Sequence, residues 1–186
     1  MIKSIIISGP PAIGKTTIAK GLATEFDLQY ISGGDALKEL AKEQGFKIQG
    51  NDWWDTEEGM DFLNFRQQNF QYDKIVDQKL KEIFQKGGVV ITSYTLPWLV
   101  DGGIKIWLFG SHQNSAERMK IRDNVNVEQA LKIVKKRYAE NKSLYKKLYG
   151  IDFKDDNTIF DKIIDTSNLS ANEVLKIAKS TVRNLL

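Results

Sequence analysis

The chain has 186 residues, 41% of them hydrophobic and 27% charged, which excludes disordered, collagen-like and coiled-coil classes. That length suits one domain able to bury roughly 70% of its unfolded surface. With no cysteine and a single histidine, His112, there is no basis for a disulfide framework, a thiolate nucleophile, a Cys-ligated zinc site or a multi-His metal site. The net charge of +3 is too mild to mark a nucleic-acid binder, and no apolar run approaches the roughly 18 residues of a membrane span. A short apolar start with no cleavage-site pattern predicts no signal peptide, hence a cytoplasmic, soluble protein.

Strand and helix signals alternate along the chain. Ile2 to Ser8 is a nearly continuous β-branched run, as in a strand buried on both faces of a parallel sheet. After Gly9-Pro10-Pro11 a helix starts near Gly14, with Ile18, Leu22 and Phe26 as its apolar stripe. A short strand over Leu28 to Ile31 leads to Ser32-Gly33-Gly34, and Asp35 is placed to cap a helix through Ala41. Residues 46–72 mix polar residues with Trp53, Trp54, Phe62, Phe65, Phe70 and Tyr72, and are expected to be helical with Asn51 among them. A helix from about Asp73 to Gln85, with Ile75, Val76, Leu80, Ile83 and Phe84, stops at Lys86-Gly87-Gly88. Val89 to Ser93 and Ile104 to Phe109 read as buried strands, followed by a helix with Ala116, Met119 and Ile121. Asn126-x-x-Gln129 resembles a capping box for a helix to about Tyr149. Lys162 to Thr166 gives a last strand, and Ser170-x-x-Glu173 opens a closing helix with Val174, Ile177 and Val182. Such alternation predicts an α/β fold, a parallel sheet with helices on both faces, in a single domain spanning 1–186.

One motif carries most of the functional weight. Gly9-Pro10-Pro11-Ala12-Ile13-Gly14-Lys15-Thr16 fits the P-loop pattern G-x-x-x-x-G-K-S/T, after a buried strand and at the start of a helix. A polyphosphate needs many donors at close range. Glycines 9 and 14 let the backbone turn sharply so that successive N–H groups form an anion nest. The following helix adds the positive end of its dipole, Lys15 a mobile charge for the β and γ phosphates, and Thr16 a hydroxyl for Mg²⁺. A nucleotide site over Gly9 to Thr17 follows.

Beyond the loop, the chain resembles the nucleoside monophosphate kinases, and among them the short archaeal-type cytidylate kinases. The resemblance rests on Ser8 to Thr17 with Tyr30-Ile31-Ser32-Gly33-Gly34-Asp35, on Ala116-Glu117-Arg118 through Arg122-Asp123, and on Arg137-Tyr138 through Tyr145 to Asp152 with Asp161 through Asp165-Thr166-Ser167. It implies a P-loop fold with five parallel strands in the order 2-3-1-4-5 and phosphotransfer from ATP to CMP or dCMP with Mg²⁺. It also implies a helical acceptor-binding segment over about 34–85 and a short lid over about 122–145.

The roles implied by the resemblance follow residue by residue. Arg118 would stack on the adenine, Arg122 on the same helix face would reach phosphate, and Arg137 would be a lid arginine, so that with Lys15 these form the catalytic set. Thr166 and Ser167 would pass beside the adenine. Ser32, Gly34, Asp35, Lys38, Asp73, Asp77 and Tyr94 are the candidates for acceptor binding, and Thr16 for the metal. Lys38 stands where the family carries an arginine, Thr92-Ser93-Tyr94 where it carries Glu-Gly-Arg, and Leu144 where a lid arginine is expected. Tyr94 and Arg66 are candidate substitutes for the missing phosphate contacts, and Trp53 and Trp54 either a stacking wall or core.

Three other readings fit parts of the sequence: a P-loop kinase for another small acceptor, a non-catalytic nucleotide-binding relative, and a nucleic-acid ATPase. The last would use the basic stripe of Lys132, Lys135, Lys136, Arg137, Lys142, Lys146 and Lys147, which a solvated helix face explains equally. The expected partners are small nucleotides, with no nucleic acid and no membrane, and the expected state is a monomer, since no exposed apolar stripe is legible.

Overall fold

The structure is a computed structural model that describes residues 3–49, 53–153 and 158–186. Five parallel strands, β1 (Ile5–Ser8), β2 (Gln29–Ser32), β3 (Val89–Thr92), β4 (Ile104–Phe109) and β5 (Lys162–Asp165), form one sheet in the order β2-β3-β1-β4-β5. This is the expected order. The register pairs Ile5 with both Val90 and Ile104, and Leu108 with Ile164.

Alternation along β1 explains why its whole length is apolar. Ile5 and Ile7 enter the cluster built with Ile18, Leu22, Val174 and Val182, while Ile6 enters the opposite cluster with Leu37, Phe62, Leu80 and Ile91. Each fully buried isoleucine is worth roughly 1.5–3 kcal/mol. The first cluster is roofed by α1 (Lys15–Phe26) and α8 (Ala171–Leu185), the second by α2 (Gly33–Glu43), α3 (Glu57–Gln68) and α4 (Gln71–Lys86). A short α5 (Leu96–Leu99) follows β3, and α6 (His112–Asp123) packs on the long α7 (Val127–Tyr149) through Ala116, Met119, Ala130 and Val134. A third cluster sets Trp107, Leu144, Tyr145, Phe153 and Phe160 together beneath α7.

Local signals placed most of these elements, with shifts at their ends. Ser32, not Asp35, caps α2: its Oγ accepts from the Asp35 N–H at 3.1 Å, which puts Asp35 inside the first turn, where its charge suits the helix dipole. Asn126 caps α7, and Ser170 with Glu173 forms the full capping box of α8. Among the described residues of 46–72 the helical content is a 3₁₀ turn over Trp53–Asp55, then α3, then the start of α4 at Gln71. The expected strand start at Ile2 and the position of Asn51 lie outside the described residues. Ile121 is 83% exposed and Ile75 54% exposed, so neither belongs to an apolar stripe. Val76, Leu80 and Phe84 repeat every four residues and take the buried face of α4, which turns Ile75 aside. No described helix is long and apolar enough to cross a membrane.

Candidate active site

The P-loop joins β1 to α1 at the carboxyl ends of the strands. Gly14 precedes α1 in a left-handed conformation (φ 104°) and no side chain caps the helix, so its first N–H groups are left to an external acceptor. Ala12 is also left-handed (φ 55°). Gly9 (φ 144°) lies against β4: a Cβ there would sit 2.3 Å from the Leu108 carbonyl oxygen. Ile13 is 2% exposed and anchors the loop in the core under the nest. Thr16 and Thr17 are exposed at the helix start. Gly9→Ala is expected to lower stability by about 1–3 kcal/mol in urea unfolding, the scale of overpacking against a fixed neighbour, and unchanged stability would show that the loop is free to move aside.

Lys15 curls back into this loop. Its Nζ donates to the carbonyl oxygens of Gly9 at 2.8 Å and Pro10 at 2.6 Å, and lies 4.7 Å from the Tyr94 ring centroid. Burial, with the positive field of Arg137, pulls its pKa down to about 7. Tyr94 is pushed above the ordinary phenol range by burial.

The loop opens into a cleft of about 920 Å³ that runs from α8 and the Thr166 turn, past Lys15, to the inner faces of α2, α3 and α4. Most of the expected site residues line it: Pro11 to Thr17, Ser32, Gly34, Asp35, Lys38, Asp73, Asp77, Tyr94, Arg118, Arg122, Arg137 and Thr166. Gly9, Pro10 and Ser167 do not. Gly9 and Pro10 support Lys15 from behind, and Ser167 is tied into the turn, its N–H donating to Asp165 at 2.9 Å and its carbonyl accepting from Asn114. Arg118 is held flat against that turn, donating to the Thr166 hydroxyl at 3.1 Å and to the Thr166 carbonyl at 2.8 Å.

Two arginines converge from separate helices. Arg122 of α6 and Arg137 of α7 both donate to the carboxylate of Asp55, and Arg122 also pairs with Asp123. The sequence reading missed Asp55, because its partners lie 67 and 82 positions away. Trp53 and Trp54 divide the two roles considered for them: Trp53 is 1% exposed in the core, while Trp54 lines the cleft. Pairing with Asp35 at 3.8 Å holds Lys38 at the α2 side.

Deeper in the cleft is a polar network among apolar neighbours. Arg66 and Asp73, each 2% exposed, form a bidentate pair, and the Arg66 Nη2 donates to the Tyr145 hydroxyl at 2.9 Å. Burial opposes the charge on Arg66, but the oxygens of Asp73 and Tyr145 outweigh it and hold the guanidinium firmly charged. Asp77 accepts from the Thr95 hydroxyl at 2.6 Å and the Tyr149 hydroxyl at 2.8 Å; burial nevertheless raises its pKa to about 6. Thr95 stands beside Ser93, whose Oγ accepts the N–H groups of Thr95 and Leu96. The chain after β3 is thus committed to starting α5 and supporting Asp77, which accounts for the small hydroxyl residues at 93 and 95, while the Thr92 hydroxyl lies 3.4 Å from that of Tyr30. Leu144 is fully buried in the aromatic cluster, where an arginine would have no water. Of the basic stripe, Lys132, Lys135, Lys136, Lys146 and Lys147 are exposed, Lys142 and Lys146 flank Asp152, and Arg137 turns into the cleft.

A nest of N–H groups opening a helix, a lysine at its centre and further cations across one cleft, on a five-stranded parallel sheet, define the class: a P-loop phosphotransferase fold. A gluconokinase from Sinorhizobium meliloti has that fold, with a TM-score of 0.60 at 16% identity over 99% of this chain and 93% of its own. The chain belongs to the cytidylate kinase-like family, which matches residues 4–168. It is 34% identical to the cytidylate kinase of Methanocaldococcus jannaschii over 97% of this chain and 98% of that one. It is also 33% identical to the cytidylate kinase of Pyrobaculum islandicum, over 98% and 94% respectively. This is an enzyme of the nucleoside monophosphate kinase class.

Proposed function

We propose that this chain transfers the γ-phosphoryl group of ATP to CMP or dCMP, giving ADP and CDP or dCDP. The observation that carries the proposal is the continuous cleft between the phosphate nest and the α2–α4 pocket, in a chain of the cytidylate kinase-like family. Phosphoryl transfer asks the protein for positioning and charge neutralisation rather than covalent chemistry. Residues Gly9 to Thr17 hold the ATP phosphates, with Lys15 at the transferring group. The Arg118 plane, fixed on Thr166, supports the adenine, and Ser167 shapes the turn behind it. Ser32, Gly34, Asp35 and Lys38 on one side and Tyr94 and Asp77 on the other take the acceptor. Asp73 acts through Arg66, whose guanidinium it aims. The residues near the nest suit Mg²⁺: the exposed Thr16 hydroxyl and the phosphate oxygens would hold it, and it would supply further neutralisation of the transferring group. Residues 34–85 form the acceptor-binding segment and 122–145 the lid, and their closure excludes water. The ³¹P spectrum of ATP and CMP with this protein should gain the signals of CDP when Mg²⁺ is present and not when it is chelated. Consumption of ATP with CMP left intact would contradict the proposal.

The lysine also sets a pH signature. A Lys15 pKa near 7 means that the free protein carries the neutral amine at pH 8 and mostly the ammonium at pH 6. A polyphosphate favours the ammonium and raises that value again. Binding of Mg-ATP is therefore expected to take up close to one proton at pH 8 and far less at pH 6. Calorimetric titrations in buffers of different ionisation enthalpy measure this, and equal proton uptake at both pH values would contradict it.

A further inference from the structure

Asp55 receives both lid-side arginines and is itself held rigidly. It ends the 3₁₀ turn at Trp53–Asp55. The next residue, Thr56, locks that turn: its hydroxyl donates to the Trp53 carbonyl at 2.7 Å and accepts the Gly59 N–H at 3.2 Å. Gly59 packs so closely that a Cβ there would sit 2.1 Å from the Trp53 carbonyl oxygen. The Asp55 side chain is 7% exposed. Arg122 Nη2 donates to its Oδ2 at 2.5 Å, and Arg137 Nη1 to its Oδ1. The same cleft holds Lys15, near enough to Arg137 for the two positive charges to be felt. A carboxylate and a phosphoryl group offer a guanidinium the same fork of oxygens, so one excludes the other.

We infer that Asp55 is a positioning residue that selects the acceptor over water: it keeps Arg122 and Arg137 on its carboxylate until an acceptor fills the cleft, and then releases them to the transferring phosphoryl group. The inference rests on the phosphotransfer reading above. In the unwanted reaction water attacks the γ-phosphorus, the bond from γ-phosphorus to the β,γ-bridging oxygen breaks, ADP leaves, inorganic phosphate keeps the water oxygen and a proton goes to solvent. In the wanted reaction an acceptor phosphate oxygen replaces the water. Both routes need the same cations at the transition state, and withholding them from the empty enzyme slows the first route. The link to the acceptor is Trp54, next to Asp55: its Nε1 lies 3.5 Å from where a Cβ on Gly34 would be, and it lines the pocket proposed for the acceptor. Asp123, on the helix of Arg122, shares that guanidinium with Asp55 in this state.

Asp55→Asn keeps the shape and removes the competing charge. Three measurements follow: inorganic pyrophosphate binding by calorimetry, ATP hydrolysis without acceptor, and CMP-dependent turnover. Relative to wild type, pyrophosphate should bind on the order of tenfold tighter at low salt, and acceptor-free hydrolysis should rise by a similar factor. The ratio of transfer to hydrolysis should fall, and Asp55→Glu should restore it. Unchanged or weaker pyrophosphate binding, or unchanged hydrolysis, overturns the inference. If Asp55→Asn does not fold, the wild type still decides: pyrophosphate alone should leave the ¹³Cγ resonance of Asp55 in place and pyrophosphate with CMP should shift it, and a resonance that stays put with both, or that shifts fully with pyrophosphate alone, overturns the inference. Wild-type protein that binds neither pyrophosphate nor ATP overturns the phosphotransfer reading itself, a failure visible before any variant is made.

Discussion

Lys15→Ala should lower turnover by on the order of 10² to 10³, the cost of losing one preorganised donor to a developing charge. The Lys15 Nζ is already at the nest in the free protein, held by the Gly9 and Pro10 carbonyls and by the Tyr94 face, and bound polyphosphate favours its ammonium form. It needs only a swing about its own stem to meet the transferring group, so little reorganisation is spent at the moment of reaction. The loss should fall mainly on kcat, because the loop N–H groups and the helix terminus still hold the phosphates in the ground state. Lys15→Arg should not recover the loss, since the planar fork does not fit where a compact ammonium sits between two carbonyls and a ring. Steady-state kinetics check both variants, and wild-type turnover in Lys15→Ala would contradict the role given to this residue.

The second large effect is on stability. Arg66→Met should destabilise the fold by about 3–5 kcal/mol, because it leaves Asp73 charged and buried without its partner. Tyr145 loses its bound guanidinium nitrogen in the same step. The margin of a domain this size is about 5–15 kcal/mol, so the variant would sit close to unfolding at ordinary temperature. Adding Asp73→Leu should recover much of the loss, since a well-packed apolar pair is often no worse than a buried ion pair. Urea unfolding should show the midpoint falling with its slope unchanged. A loss under about 1 kcal/mol would show that water reaches Asp73, contrary to its burial.

Contiguous features were legible before any fold was known. The P-loop is local: its glycines, lysine and threonine fall within eight residues, and the strand before it and the helix after it are each readable alone. The caps at Asn126 and Ser170 are of the same kind. Sheet order came with the resemblance, not with periodicity, since a run of isoleucines says only that a strand is buried. Features that depend on distant pairing were not legible. Asp55 follows two tryptophans and precedes a helix cap, and nothing near it in sequence announces two arginines. Arg66 and Asp73 are seven positions apart, which one helix would put on the same side, but the break between α3 and α4 at Asn69 and Phe70 hides that geometry. Likewise Tyr149 and Thr95 converge on Asp77 only because the end of α7 and the start of α5 meet α4 there. The departures at 92–94 and 144 read as losses in the sequence. In the fold, Leu144 is core, Thr92 pairs with the Tyr30 hydroxyl, Ser93 serves α5, and Tyr94 backs Lys15.

The most direct test of the central claim is the rate of ADP release from Mg-ATP with CMP, dCMP, UMP, AMP, GMP and dTMP offered one at a time, beside a control with no acceptor. The account predicts that CMP or dCMP gives the largest kcat/KM, well above the control. Turnover no faster with any acceptor than with water, in protein that still binds ATP, would contradict it.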